Sequence, residues 1–123
     1  MLLPAVENSG LLTIKKKSDF EKLKKFGKRV YLTSWLVINV AKNSDNTVRA
    51  GYTISAKVGG AVIRNKLRRW RREIIRHWAK ENALGVDINV VFKPKESGFY
   101  KKLKFAEVQG AWSNNWTKIS KLG

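Results

Sequence analysis

The spacing of apolar and polar positions changes several times along the chain, and each change marks an element. Residues 1–12 show no clear period, with Pro4 and Gly10 among small residues, and read as a flexible lead-in. From Ser18 the pattern turns helical. Phe20, Leu23 and Phe26 recur along the run, Ser18 stands at the N-cap, Glu21 takes the capping-box position and Gly27 closes the helix. Trp35 to Val40 is short, apolar and rich in β-branched residues. Asn43-Ser44-Asp45-Asn46 is turn chemistry, and Val48, Ala50, Tyr52 and Ile54 then alternate, which predicts two strands joined as a hairpin. Val86, Ile88, Val90 and Phe92 alternate with Asp87 and Asn89 and make the clearest strand on the chain.

Between the second and third of these strands, Ala61 to Lys80 contains neither Pro nor Gly. At about 100° per residue, Ile63, Leu67, Trp70, Ile74 and Trp78 fall within about 80° of arc, and Arg64, Arg68, Arg69, Arg71, Arg72 and Arg76 fan across the neighbouring side. One stripe packs and the other faces solvent. A last helix is expected from Phe99 to Trp116, with Phe99, Leu103, Ala106 and Val108 on or near its packing face and Gly110 as its weak point. Trp70, Trp78, Trp112 and Trp116 are core candidates, and residues 118–123 read as a frayed tail. The order helix, strand, strand, helix, strand, helix predicts an α+β fold over residues 13–117: a single-domain α/β sandwich with helices packed on one small sheet.

Charge narrows the function. The 123 residues carry 26 Lys and Arg against 9 Asp and Glu, a net +17. Such an excess sets up a positive field that concentrates polyanions, and nucleic acid is the expected partner. Cysteine is absent, which excludes a disulfide scaffold, a zinc finger and a thiol nucleophile. The opening MLLPAVENSG lacks the basic and apolar regions of an export signal, and no apolar run approaches membrane-spanning length, so a cytoplasmic protein without a membrane partner is expected.

The densest chemistry lies in Lys57 through Arg72, where a glycine turn leads into the basic helix. Gly59 and Gly60 permit backbone conformations that a side chain resists and let a phosphate approach. Arg64, Arg68, Arg72 and Arg76 step by four and line one ridge at about 6 Å spacing. A guanidinium fork binds phosphate oxygens in bidentate fashion, and the Asn65 amide suits a sugar hydroxyl or a base edge. Within residues 57–80 nine cations face one acid, Glu73, so the helix forgoes the pairing that solvated helices usually show. His77, the single histidine, has no partner pattern for catalysis, and the acids show no metal-binding cluster. A helix-turn-helix DNA binder is disfavoured because the basic helix follows a strand rather than a helix and a short turn.

Lys57, Gly59, Ala61-Val62 and Arg64-Asn65-Lys66, followed by Arg68-Arg69 and Arg72, resemble the signature of the bacterial ribonuclease P protein subunit. Asp19-Phe20 and Gly27, the strand from Trp35, and the run from Asp87 to Pro94 extend the resemblance over residues 13–117. It implies the accessory subunit of a ribonucleoprotein that removes the 5′ leader from precursor tRNA and generates the mature 5′ end, with the RNA performing the hydrolysis and holding Mg2+. The implied partners are the catalytic RNA, bound by Lys57, Gly59, Arg64, Asn65, Lys66, Arg68, Arg69, Arg72 and Arg76, and the single-stranded leader. The leader is expected in a cleft between the first helix and the sheet, with Phe20 as its wall and Lys24 and Trp35 beside it. Lys24 stands where the family often has a second aromatic, so this cleft should hold phosphates more than bases. The resemblance also implies a left-handed βαβ crossover. The alternative is a structural RNA-binding protein of the ribosomal type, with no part in a reaction.

Overall fold

The computed structural model describes residues 12–14, 16–43, 47–81 and 85–115. Five strands form one sheet: β1 (Leu12–Thr13), β2 (Lys28–Tyr31), β3 (Leu36–Lys42), β4 (Val48–Ile54) and β5 (Val86–Phe92), in the spatial order β1-β4-β5-β3-β2. The helices are α1 (Lys17–Phe26), α2 (Ala61–Glu81), α3 (Phe99–Lys102) and α4 (Phe105–Asn114). Strands β4 and β5 run parallel as neighbours, so α2 is the crossover connection between them. Strand β3 is antiparallel to both β5 and β2. The mixed α+β architecture expected from the pattern is the one observed.

Register assigns the two faces of the sheet. Ala50, Ile88, Val90, Phe92, Leu36, Ile38 and Val40 point to one side, where Leu67, Ile74, Ile75 and Trp78 of α2 and Val108 and Trp112 of α4 close the main core. On the other side lie two rows, Gly51-Asn89-Asn39-Arg29 and Thr53-Val91-Val37-Tyr31. Helix α1 lies over this second face and buries Leu23. No helix among the described residues is long and apolar enough to cross a membrane.

The sheet departs from the pattern reading in its pairing. The expected hairpin between the strands at 35–40 and 48–54 does not form, because β5 lies between them. Strand β5 takes the centre, with Val86, Ile88, Val90 and Phe92 buried in the main core and Asn89 buried on the face that α1 covers, and β3 beside it is buried on both faces as well. The hairpin is instead β2-β3. Strand β2 escapes the pattern because it is short, at the edge, and half-buried only at Val30. Residues 44–46 lie outside the described residues. The side chain of Asn43 reaches forward to the Thr47 carbonyl (3.0 Å) and to Asp87 (2.9 Å). The two-residue strand β1 begins within the expected lead-in, pairing parallel with β4.

Two helix boundaries also differ. Helix α1 starts two residues earlier than expected, with Lys16 as N-cap and no side-chain cap, so Ser18 and Glu21 lie inside the helix. Gly27 does end it, but in extended backbone: a Cβ there would meet the Leu23 carbonyl oxygen at 2.5 Å and that of Val40 at 2.9 Å. The expected single helix over 99–116 breaks into α3 and α4. Leu103 turns into the core between them, and the Lys104 backbone N–H donates to the Glu107 carboxylate at 2.7 Å, which caps a new helix start. Trp116 and the tail at 118–123 lie outside the described residues.

Candidate nucleic-acid interface

Helix α2 has two unlike sides. Leu67, Ile74, Ile75 and Trp78 are buried against the sheet, with Ile63 and Trp70 partly covered at the margin. This stripe is broader than the apolar residues alone suggest, because Arg71 belongs to it. Expected on the solvent fan, Arg71 is only 2% exposed, and its guanidinium stacks on the Tyr52 ring of β4 at 5.0 Å. Arg68, one turn earlier, lies over the outer part of the same ring at 5.9 Å and approaches its hydroxyl at 3.4 Å. Tyr52 thus anchors the basic helix to the sheet, a role its place in an alternating strand did not disclose.

The remaining predicted contact residues divide by what they touch. Lys57, Asn65, Arg68 and Arg69 are exposed, and Arg64 and Arg72 are half-buried at the edge of the packed stripe. Lys66 turns toward α3, donating to the Tyr100 carbonyl at 3.0 Å and capping the Trp70 ring at 4.9 Å. Arg76 bonds Glu73 at 2.6 Å and holds that carboxyl below the usual range, while His77 Nε2 sits 3.2 Å from the same oxygen. The open basic surface is therefore the first half of α2 with its leading turn. Gly60 accepts the Arg64 N–H at 3.0 Å, and neither Gly59 nor Gly60 adopts a left-handed conformation. A Cβ at Gly59 would lie 3.0 Å from the Ile63 side chain, which would have to give by a few tenths of an ångström. Val62, 83% exposed, and a first turn without acids leave the amide-rich start of α2 open to an anion.

The second candidate surface lies on the opposite face of the sheet. Phe20 rests on Gly51, where a Cβ would meet its ring at 2.6 Å, so the glycine is what admits the aromatic. Lys24 follows one turn later on α1 and is exposed. Trp35 does not join them. It precedes β3 at the far end of the register and packs against Phe99 at 5.7 Å and Tyr100 at 6.4 Å. The floor beside Phe20 is polar: Asn89 donates to the Thr53 hydroxyl at 2.9 Å, and Arg49 grips Asp87 with two bonds of 2.8 and 2.5 Å. At the edge of the same face stand Arg29 and the exposed Tyr31, residues of a strand the pattern did not reveal.

The basic surface begins at one end of the sheet. Ile54, Phe92 and Leu36 are level in register there. Beyond them β4 passes through the 55–60 turn into α2, and β5 passes to Lys93. Among the described residues no group of His, Asp and Glu could hold a metal ion.

The model of the family described as Ribonuclease P matches residues 10–120. The chain belongs to the ribonuclease P protein family. It is 32% identical over 95 residues to the ribonuclease P protein component of Natranaerobius thermophilus, covering 76% of this chain and 82% of that one. It is 31% identical over 109 residues to the component from Dictyoglomus turgidum, with 89% of each chain covered. The RNase P protein structure from Staphylococcus aureus is similar with a TM-score of 0.73 at 29% identity, covering 89% of this chain and 95% of that chain. That from Thermotoga maritima gives 0.73 at 31% identity, covering 83% and 92%. Family membership makes this chain the protein part of a ribonuclease holoenzyme that matures the 5′ end of tRNA, with an RNA subunit as its partner. The alternative of a structural protein of the ribosomal type is not favoured.

Proposed function

We propose that the first half of α2 and the 55–60 turn bind the catalytic RNA, and that the cleft between α1 and the sheet binds the 5′ leader of precursor tRNA. The observation that carries this reading is the separation of two unlike surfaces, a basic helix on one side of the sheet and a half-exposed aromatic over polar groups on the other. Arginines on a rigid helix suit the fixed phosphates of a folded RNA. A half-exposed aromatic with polar groups and a lysine suits an unpaired strand, whose bases stack and whose phosphates need only approximate partners. Lys57, Asn65, Arg68 and Arg69 are the outward contacts, with Gly59, Arg64 and Arg72 at their margin. Lys66 and Arg76, each with a partner in the protein, fix neighbouring elements as much as they supply charge.

The hydrolysis is assigned to the RNA. Asp87 is engaged by Arg49 and Asn43 and Glu73 by Arg76, and the described His, Asp and Glu side chains form no group that could hold a metal ion. Mg2+ is accordingly assigned to RNA ligands, and when bound it stabilises the attacking and leaving oxygens of phosphodiester hydrolysis. The protein's part is to hold RNA and leader in one geometry, in the cytoplasm where precursor tRNA is met.

Cleavage of 5′-labelled precursor tRNA at low Mg2+ tests this, with a bacterial ribonuclease P RNA alone, the protein alone, and both together. Cleavage only by the pair is expected. With Arg64→Ala and Arg68→Ala combined, rescue should demand lower salt, and the logarithmic salt slope of RNA binding should fall by about 2. Cleavage by the protein alone would overturn the assignment, and an unchanged slope would remove α2 from the interface.

A further inference from the structure

Tyr31 is one of three large apolar side chains exposed among the described residues, at 55%, and it stands on the edge strand β2 rather than at a core margin. Two cations, Arg29 of β2 and Lys93 just past the end of β5, converge on it. The Arg29 guanidinium lies 5.4 Å from the ring centroid and donates through Nε to the phenol oxygen at 3.1 Å, and the Lys93 ammonium lies 5.3 Å from the same centroid. Among the described residues neither cation meets a carboxylate. An exposed ring flanked by two cations without acids has the composition of a nucleotide site, in which the ring takes the base and the cations take phosphate.

Its position connects it with the cleft. Tyr31 is level with Val37, Val91 and Thr53, on the face that carries Phe20 over Gly51. Three strand spacings across and two residues along the strand separate the two aromatics, a diagonal of about 16 Å. At the stacked spacing of about 3.4 Å per nucleotide this spans about five nucleotides, and fewer where the strand is stretched. We propose that Tyr31, with Arg29 and Lys93, is a second nucleotide-stacking station, which takes an unpaired leader nucleotide different from the one at Phe20. Arg29 is pinned by its bond to the phenol. Lys93 meets the ring only through the end of a flexible stem, so an arriving base displaces it onto the adjoining phosphate. This inference rests on the leader reading of the α1 cleft.

The test measures the affinity of the reconstituted holoenzyme for precursor tRNAs whose leaders lengthen one nucleotide at a time. The proteins compared are wild type, Phe20→Ala, Tyr31→Ala, Tyr31→Phe and Arg29→Ala. Wild type should gain affinity in steps. Tyr31→Ala should lose one step by about fivefold or more, within about five nucleotides of the step lost in Phe20→Ala, and bind shorter leaders and mature tRNA normally. Tyr31→Phe should keep the step, because the ring carries it, and Arg29→Ala should lose part of it. If Tyr31→Ala matches wild type at every length while Phe20→Ala loses its step, the second station is wrong and the cleft reading stands. Equal loss at every length, mature tRNA included, overturns the assignment of Tyr31 to the leader. If no variant shows a dependence on leader length, the cleft reading fails and this inference with it.

Discussion

Beneath α2 and α4 the sheet presents Leu36, Ile38, Val40, Ile88, Val90 and Phe92, all buried; on the side of α1 it presents buried Asn39, Asn89 and Val37, the exposed Thr53 and the Arg49–Asp87 pair. The first face meets the ordinary condition for a stable fold, since apolar area leaves water with no polar group to satisfy. The second buries polar groups under a single ten-residue helix, and the Asn89 Oδ1 has no hydrogen-bond partner among the described residues. Buried polar atoms contribute little to stability and cost about 1–3 kcal/mol each when unsatisfied. Stability in this protein is thus concentrated on one face, which leaves the other free to be shaped by what it binds.

Substitutions can break that division. Phe92→Ala, which removes a fully buried ring from the stabilising face, should cost about 3–5 kcal/mol in denaturant unfolding; a loss comparable to that of an exposed residue would show that this face does not carry the stability. Gly51→Ala acts on the other face. The new methyl would displace the half-exposed Phe20 ring at a cost of about 1 kcal/mol, and its larger consequence should be a reduced preference for precursor over mature tRNA. Retained preference in direct binding would mean that the ring's seat on Gly51 is not what the leader reads.

The smallest effect separates two tyrosines. Arg29, through its hydrogen bond and its charge, lowers the Tyr31 phenol below its ordinary value, with a lesser effect from Lys93. Burial raises that of Tyr100, whose hydroxyl donates to the Lys93 and Trp35 carbonyls. For Tyr31 the folded state releases the proton more readily, so its contribution to stability is present above pH 10.0 and fades as the pH falls through the lowered value. For Tyr100 the sign reverses: the stability its neutral phenol contributes is present below pH 10.0 and is lost as the pH rises toward the folded value. In a tyrosinate absorbance titration, Tyr31→Phe should delete the earliest component and Arg29→Ala should move it to higher pH. An unchanged early component in Tyr31→Phe would show that the phenol is not perturbed.

The parts legible in the sequence were those governed by short-range spacing. Residues 61–80 read as one helix because Leu67, Ile74 and Trp78 recur at its period, and the α2 boundaries agree. The basic surface was legible for the same reason, since Arg64, Arg68 and Arg72 step along one ridge. Arg71 departs from the solvent fan that its spacing predicts because a guanidinium at the edge of an apolar stripe can stack on a ring that only the sheet brings near. Strand β2 is not legible in the spacing because an exposed edge strand has little need of alternation. The Asn43–Asn46 segment misled because turn residues show where a chain can bend, not which strand it joins after bending.

By itself the sequence determined the α+β class, the length and polarity of α2, the excess of positive charge and, through the Lys57–Arg72 signature, the family. These depend on period and on residue identity over a few turns. Only the tertiary structure decided that β5 separates β3 from β4, that Arg71 is buried on Tyr52 while Arg68 remains exposed, and that Phe20 sits on Gly51. It also decided that Trp35 packs on α3 and that Arg29, Tyr31 and Lys93 share one edge. Each is a meeting of residues far apart in the chain or on different strands, fixed by which strand occupies the centre of the sheet, and β5 holds the centre through its pairing with β3 on one side and β4 on the other, which no local spacing encodes.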